Sequence, residues 1–188
     1  MSLEKVYTAT LGFILVLALI TIIASRMGQG GYGRHLQSTR GTMPAKAAWL
    51  LFECPQLFAF ALTYWLLADS RSPVSWLLFA IWQTHYLYRG LIYPLRRRDA
   101  GQRFPLANVA MGFVFNALNG FTKAYAVSHT PHLQSLTWLQ QPVFMLGVVV
   151  AMVGWLTNFQ ADNILLRLRQ GTESGQAHYR IPYGGAFR

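Results

Sequence analysis

The chain has 188 residues, 53% of them hydrophobic and only 12% charged, with a mean hydropathy of +0.28. A charged fraction half the roughly 25% of soluble domains excludes an ordinary cytosolic fold, and the hydrophobicity excludes disorder. Sixteen Lys+Arg against six Asp+Glu give a formal charge of +10, and the lone cysteine, Cys54, excludes an internal disulfide and a cysteine-based metal cluster.

A hydrocarbon core needs about 20 apolar residues per helix, and five windows supply them. Residues 6–25 are charge-free between Lys5 and Arg26 and are too long and too weakly flanked for a signal peptide. Residues 47–68 hold one charge, Glu53; residues 73–95 hold Arg89; residues 104–127 hold Lys123; residues 138–166 hold Asp162 near their end. The expectation is an all-α, polytopic transmembrane helix bundle of five spans, forming one domain over residues 1–188.

The basic residues then acquire a pattern. Segments 26–46, 96–103 and 167–188 hold twelve of the sixteen Lys and Arg, whereas the N-terminus and the other two loops hold only Lys5 and Arg71. This alternation places the three rich segments in the cytoplasm and the N-terminus outside. Because the charges are distributed as topology signals and form no single stripe, nucleic acid is excluded as a partner.

Ionisable groups at membrane depth face the bundle interior as a rule. Tyr86 and Arg89, three apart, share a helix face, as do His85 and Arg89 at four apart. Asn108, Gly112, Asn116, Asn119 and Lys123 form one polar stripe, and Ala151, Gly154, Asn158 and Asp162 form a small-then-polar one. Two readings stand for these stripes: helix packing, which is favoured for Ala151 and Gly154, or the wall of a buried cavity. Arg89 either snorkels or pairs, and Glu53 either pairs with Arg89 or Lys123 or acts on a ligand. No metal site is expected, because His85 has no second ligand at coordinating distance in sequence. A cavity that is apolar with one polar end suits a hydrophobic ligand with a single polar head. In it, Glu53 with Tyr86 forms a donor pair for a carbonyl oxygen.

The same residues resemble a known family. Gly31-Tyr32-Gly33-Arg34-His35, Pro44-Ala45-Lys46-Ala47-Ala48-Trp49 running on to Glu53-Cys54-Pro55, and His85-Tyr86-Leu87-Tyr88-Arg89 look like the steroid 5α-reductases. So do Asn119-Gly120, Asn158-Phe159-Gln160-Ala161-Asp162, Leu168-Arg169 and Tyr179-Arg180-Ile181-Pro182-Tyr183-Gly184-Gly185, all collinear with the family. The resemblance implies an NADPH-dependent membrane oxidoreductase of steroid and lipid metabolism, reducing the Δ4 double bond of a 3-oxo steroid or similar lipid enone. Glu53 and Tyr86 would hold the C3 carbonyl during hydride transfer to C5. The cofactor would lie on Arg89, Asn158, Asp162, Arg169, Tyr179 and Arg180, and the steroid pocket would include Phe52, Met111, Asn116 and Asn119.

Three departures from the family stand out. Phe52 replaces the glutamine that often precedes the glutamate, and Met111 stands where enzymes of the human type carry an arginine. The family continues to about seven spans, so the chain is expected to be C-terminally incomplete. A monomer in a bacterial inner membrane or endoplasmic-reticulum-type membrane is expected. A polyprenol-type reductase, a SAM-dependent membrane methyltransferase and a non-enzymatic lipid-binding subunit are the alternatives.

Overall fold

The computed structural model describes residues 2–27, 41–68, 71–97, 101–170 and 181–187, without side chains at 169 and 170. Helix α1 (Leu3–Arg26) is apolar on all sides and buries none of its residues. Ser2 caps it, while Glu4 in the first turn and Arg26 in the last suit the helix dipole. Strand β1 (Thr42–Pro44) leads into α2 (Ala45–Leu67), and β2 (Arg103–Pro105) leads into α5 (Leu106–His129).

Between them lie α3 (Pro73–Leu87), a π-helical turn (Tyr88–Ile92) and the short α4 (Tyr93–Arg96), one continuous helical rod. Two 3-10 turns, Pro131–Gln134 and Leu136–Gln140, connect to α6 (Pro142–Gln170). Among the described residues three helices are long and apolar enough to cross a membrane: Leu3–Arg26, Ala45–Leu67 and Pro142–Leu168. The expected third and fourth spans are also helical, as the α3-to-α4 rod and as α5. The polar stripe of α5 lowers its hydropathy.

Strands β1 and β2 pair antiparallel, Thr42 opposite Pro105 and Pro44 opposite Arg103, and form a clasp. Arg103 reinforces it through Nε to Thr42 Oγ1 at 2.8 Å, and Leu106 N donates to Gly41 O at 2.9 Å. Both α2 and α5 start from this clasp and run parallel. Their contacts climb together, from Asn116 on Phe52 to Gly120 against Gln56 and Phe60.

The rod α3–α4 runs the other way, since Ser75 meets Tyr64, Tyr86 meets Gln56 and Gly90 meets Cys54. Helix α1 is antiparallel to α5: Tyr7 stacks on Tyr125 at 4.6 Å, and Thr21 reaches Met111 Sδ at 3.8 Å. Helix α6 follows the rod, with Phe159, Asp162 and Asn163 against Tyr88, Arg89 and Arg96. Direction therefore alternates along the five helical units. The end of α1, the starts of α2 and α5, the end of the rod and the end of α6 share one end of the bundle. These are the borders of the three basic segments.

Close approach of α2 and α5 depends on Gly120. A Cβ there would stand 3.0 Å from both Gln56 O and Phe60 N, backbone atoms that cannot yield. The larger core cluster, Phe60, Tyr64 and Ala124 with Phe79 and Trp82 packed on it, sits away from the clasp. A second cluster, Tyr88, Tyr93 and Leu166 with Trp49, joins the rod to α6 at the clasp end.

Candidate active site

The π-helical turn has a local cause. Pro94 has no N–H to give the Gly90 carbonyl in α-helical register, and its ring crowds that carbonyl. The Cys54 thiol donates to Gly90 O instead, at 3.1 Å, which ties the turn to α2. Arg89 projects from this turn into a cluster of groups from three helices. Its Nε stands 3.4 Å from Glu53 Oε1 on α2. Its Nη1 donates to both Asp162 oxygens on α6, each at 3.2 Å. The guanidinium lies 5.0 Å from the Trp49 ring centroid and 5.3 Å from that of Tyr93, and Arg97 covers Trp49 at 5.1 Å. Low-dielectric walls and aromatic faces make such a guanidinium–carboxylate cluster far stronger than its exposed counterpart.

Of the two readings for Glu53, pairing with Arg89 is what the structure shows; Lys123 lies exposed on α5. Arg89 does not snorkel. It joins one expected catalytic residue, Glu53, to one expected cofactor residue, Asp162.

Beside this cluster a cavity of about 550 Å³ opens between α3 and α6. Its α3 wall holds Ile81, Trp82, His85 and Tyr86, and its α6 wall holds Ala151, Gly154, Trp155 and Asn158. That volume falls within the range of about 300–1,000 Å³ for small-molecule sites. The lining is mainly apolar, with Thr84, His85 and Tyr86 on the α3 wall and Asn158 on the facing α6 wall as polar residues. The α6 stripe is therefore a cavity wall, correcting the packing expectation for Ala151 and Gly154. A Cβ at Gly154 would meet nothing within 4 Å among the described residues.

The expected steroid-pocket residues lie elsewhere. The Phe52 ring fills the space over Gly112, and Asn116 Nδ2 donates to Phe52 O at 2.7 Å, so both serve the α2–α5 interface. Met111 faces α1, and the Asn119 carbonyl accepts from Thr122 Oγ1 at 3.0 Å. None of the four is among the described residues lining the cavity. The side chain of Arg169, together with Tyr179 and Arg180, lies outside the described residues. Farther along the chain, the Gly184-Gly185 turn returns to α6, where a Cβ on Gly185 would stand 2.7 Å from Gln160 Oε1.

Sequence reasoning missed Gln56. Its Nε2 donates to the Tyr86 hydroxyl at 3.0 Å, in the place where Glu53 was expected to orient the phenol. The available signal was spacing: Gln56 follows Glu53 by three and shares its helix face.

Comparison with known proteins agrees with this geometry. The family profile described as 3-oxo-5-alpha-steroid 4-dehydrogenase matches residues 102–188. A steroid 5-alpha-reductase of Solanum lycopersicum is 33% identical over 98% of this chain and 71% of its own length. One of Gossypium hirsutum is 34% identical over 93% of this chain and 68% of its own. The 3-oxo-5-alpha-steroid 4-dehydrogenase 1 of Homo sapiens is 35% identical over 87% of this chain, which spans 62% of the human protein. Identity of 33% over 98% of this chain and 71% of the relative's length shows that the chain belongs to the steroid 5-alpha-reductase family.

Proposed function

We propose that the chain binds a 3-oxo-Δ4 steroid, or a lipid enone of similar shape, in the cavity between α3 and α6 and reduces its conjugated double bond. The observation that carries this reading is the cavity itself: apolar walls, Tyr86 on one side, and Arg89 one helical turn along the rod from it. The family membership and the names of the relatives support the same substrate class.

In this reading Tyr86 donates its hydroxyl hydrogen to the enone oxygen and draws electron density from the double bond, which makes C5 electrophilic. Negative charge developing on that oxygen is stabilised most by a donor already in place when the reaction begins. Glu53, held by Arg89, completes the carbonyl end, and the enolate left by hydride delivery to C5 takes a solvent-derived proton at C4. The apolar walls exclude water and strengthen each of these interactions.

The donor set at the clasp end fits a phosphate-bearing dinucleotide. The side chain of Asn158 is exposed on the cavity wall, the Tyr88 hydroxyl is buried without a hydrogen-bond partner, and Arg96 is exposed beside Asn163. Arg89, Asn158 and Asp162, with Arg169, Tyr179 and Arg180, would hold NADPH, whose nicotinamide supplies the hydride when bound. We further read the clasp end as cytoplasmic, the N-terminus as outside, and the bundle as a monomeric integral membrane protein of five spans.

The test is turnover. Membranes holding the chain, given NADPH and a Δ4-3-oxo steroid, are expected to yield the saturated ketone, two hydrogens heavier by mass spectrometry. Absence of that product and of enone binding in the same membranes would overturn the reading.

A further inference from the structure

Gln56 is fully buried at 0% exposure, its Nε2 lies 3.0 Å from the Tyr86 hydroxyl, and its Oε1 has no hydrogen-bond partner. A half-satisfied amide inside an apolar bundle is a standing cost, so its presence calls for a role. The backbone around it is anchored on both sides. Gly120 of α5 lies against Gln56 O, and Gln83 Nε2 of α3 donates to Leu57 O at 3.3 Å. The Tyr86 ring is held in turn by Trp82, with centroids 4.9 Å apart. One turn earlier on α2, Phe52 offers no polar group, and its ring is spent on Gly112. Gln56 is thus the amide that meets the Tyr86 hydroxyl from α2.

We propose that Gln56 is the positioning residue for Tyr86: its amide nitrogen donates to the phenol oxygen, which keeps the phenol's own hydrogen directed at the carbonyl oxygen of the bound enone. This rests on the reading of Tyr86 as the carbonyl donor. The direction of the bond decides the outcome. An amide nitrogen can only donate, so the phenol oxygen accepts and its hydrogen remains available to the ligand. With an acceptor in that place, the phenol would turn its hydrogen toward α2 and away from the enone. Donation into the phenol oxygen also polarises the O–H and strengthens the bond it makes beyond.

The test uses the full chain in detergent with a Δ4-3-oxo steroid labelled with carbon-13 at C3, whose carbonyl stretch is read by infrared difference spectroscopy. Binding to the unmodified chain is expected to lower the stretch, and Tyr86→Phe to raise it again. Gln56→Met, similar in volume, is expected to move the stretch most of the way to the Tyr86→Phe value, with affinity kept within about threefold. Added to Tyr86→Phe, it should move the stretch no further, which a merely structural role would not produce. Gln56→Leu, which likewise offers no donor, is expected to raise the stretch as far, and it decides the matter if Gln56→Met does not fold by circular dichroism. A stretch unchanged in the Gln56 variants overturns the proposal, as does an equal shift with and without Tyr86. An enone that binds with a stretch insensitive to Tyr86→Phe sinks the role of Tyr86 and this proposal with it. No binding to the unmodified chain removes the functional reading itself.

Discussion

Arg89 Nη1 donates to both carboxylate oxygens of Asp162 at 3.2 Å, across 73 residues of sequence, and so docks α6 against the rod. Few other polar contacts hold α6 there; Arg96 Nη2 on Asn163 Oδ1 at 2.7 Å is one. The same guanidinium also faces Glu53, so removing it leaves two carboxylates turned toward each other. Breaking a buried pair by deleting one partner costs about 3–5 kcal/mol. The Arg89 side chain is 27% exposed and Asp162 only 7%. A loss below that range, about 2–3 kcal/mol, is therefore expected for Arg89→Met, because solvent screens the partly exposed guanidinium. Thermal unfolding in detergent checks this, and adding Glu53→Gln and Asp162→Asn should restore more than half of the loss.

Gly154 separates the cavity from the fold. Nothing stands within 4 Å of a Cβ built there, so Gly154→Leu should leave stability unchanged or raise it by up to about 1 kcal/mol through helix propensity. The leucine would occupy the cavity, and enone binding should weaken at least about tenfold, which titration with a labelled steroid measures.

Gly120 behaves in the opposite way. Gly120→Val places a branched side chain against Gln56 O and Phe60 N and forces α2 from α5, at a cost of about 1–3 kcal/mol. A lower unfolding temperature with secondary structure retained by circular dichroism is the expected result.

The alternation of helix direction predicts labelling. In a Cys54→Ser background, Leu136→Cys should react with a membrane-impermeant maleimide from outside intact cells. Gln102→Cys, beside the clasp, should react only after permeabilisation.

Much of this was legible in sequence. Windows without charge delimited the helices, and the Lys/Arg alternation anticipated that the ends bordering the basic segments would gather at one end of the bundle. Pairing with Arg89 was one of the readings open to Glu53 at membrane depth, beside pairing with Lys123 and action on a ligand, and the structure selects it. What sequence could not show depended on a second element. The stripe of Ala151 and Gly154 reads equally as packing or as cavity wall until α3 stands opposite at a distance. Phe52 and Asn116 read as pocket until the Phe52 ring lies on Gly112 and its carbonyl takes the Asn116 amide. The π-helical turn needs both Pro94 and a thiol 36 residues away. Gln56 escaped notice because its importance lies in the hydroxyl it touches on another helix.

The central claim is that a lipid enone sits between α3 and α6 with its carbonyl at Tyr86, and photo-crosslinking tests it most directly. A Δ4-3-oxo steroid is itself photoreactive; irradiated with the full chain and mapped by peptide mass spectrometry, it should mark Trp82, Tyr86 and the Ala151-to-Asn158 face of α6. Marking should disappear with Gly154→Leu. Adducts concentrated instead on α1 and the Met111 face of α5, insensitive to Gly154→Leu, would contradict the account.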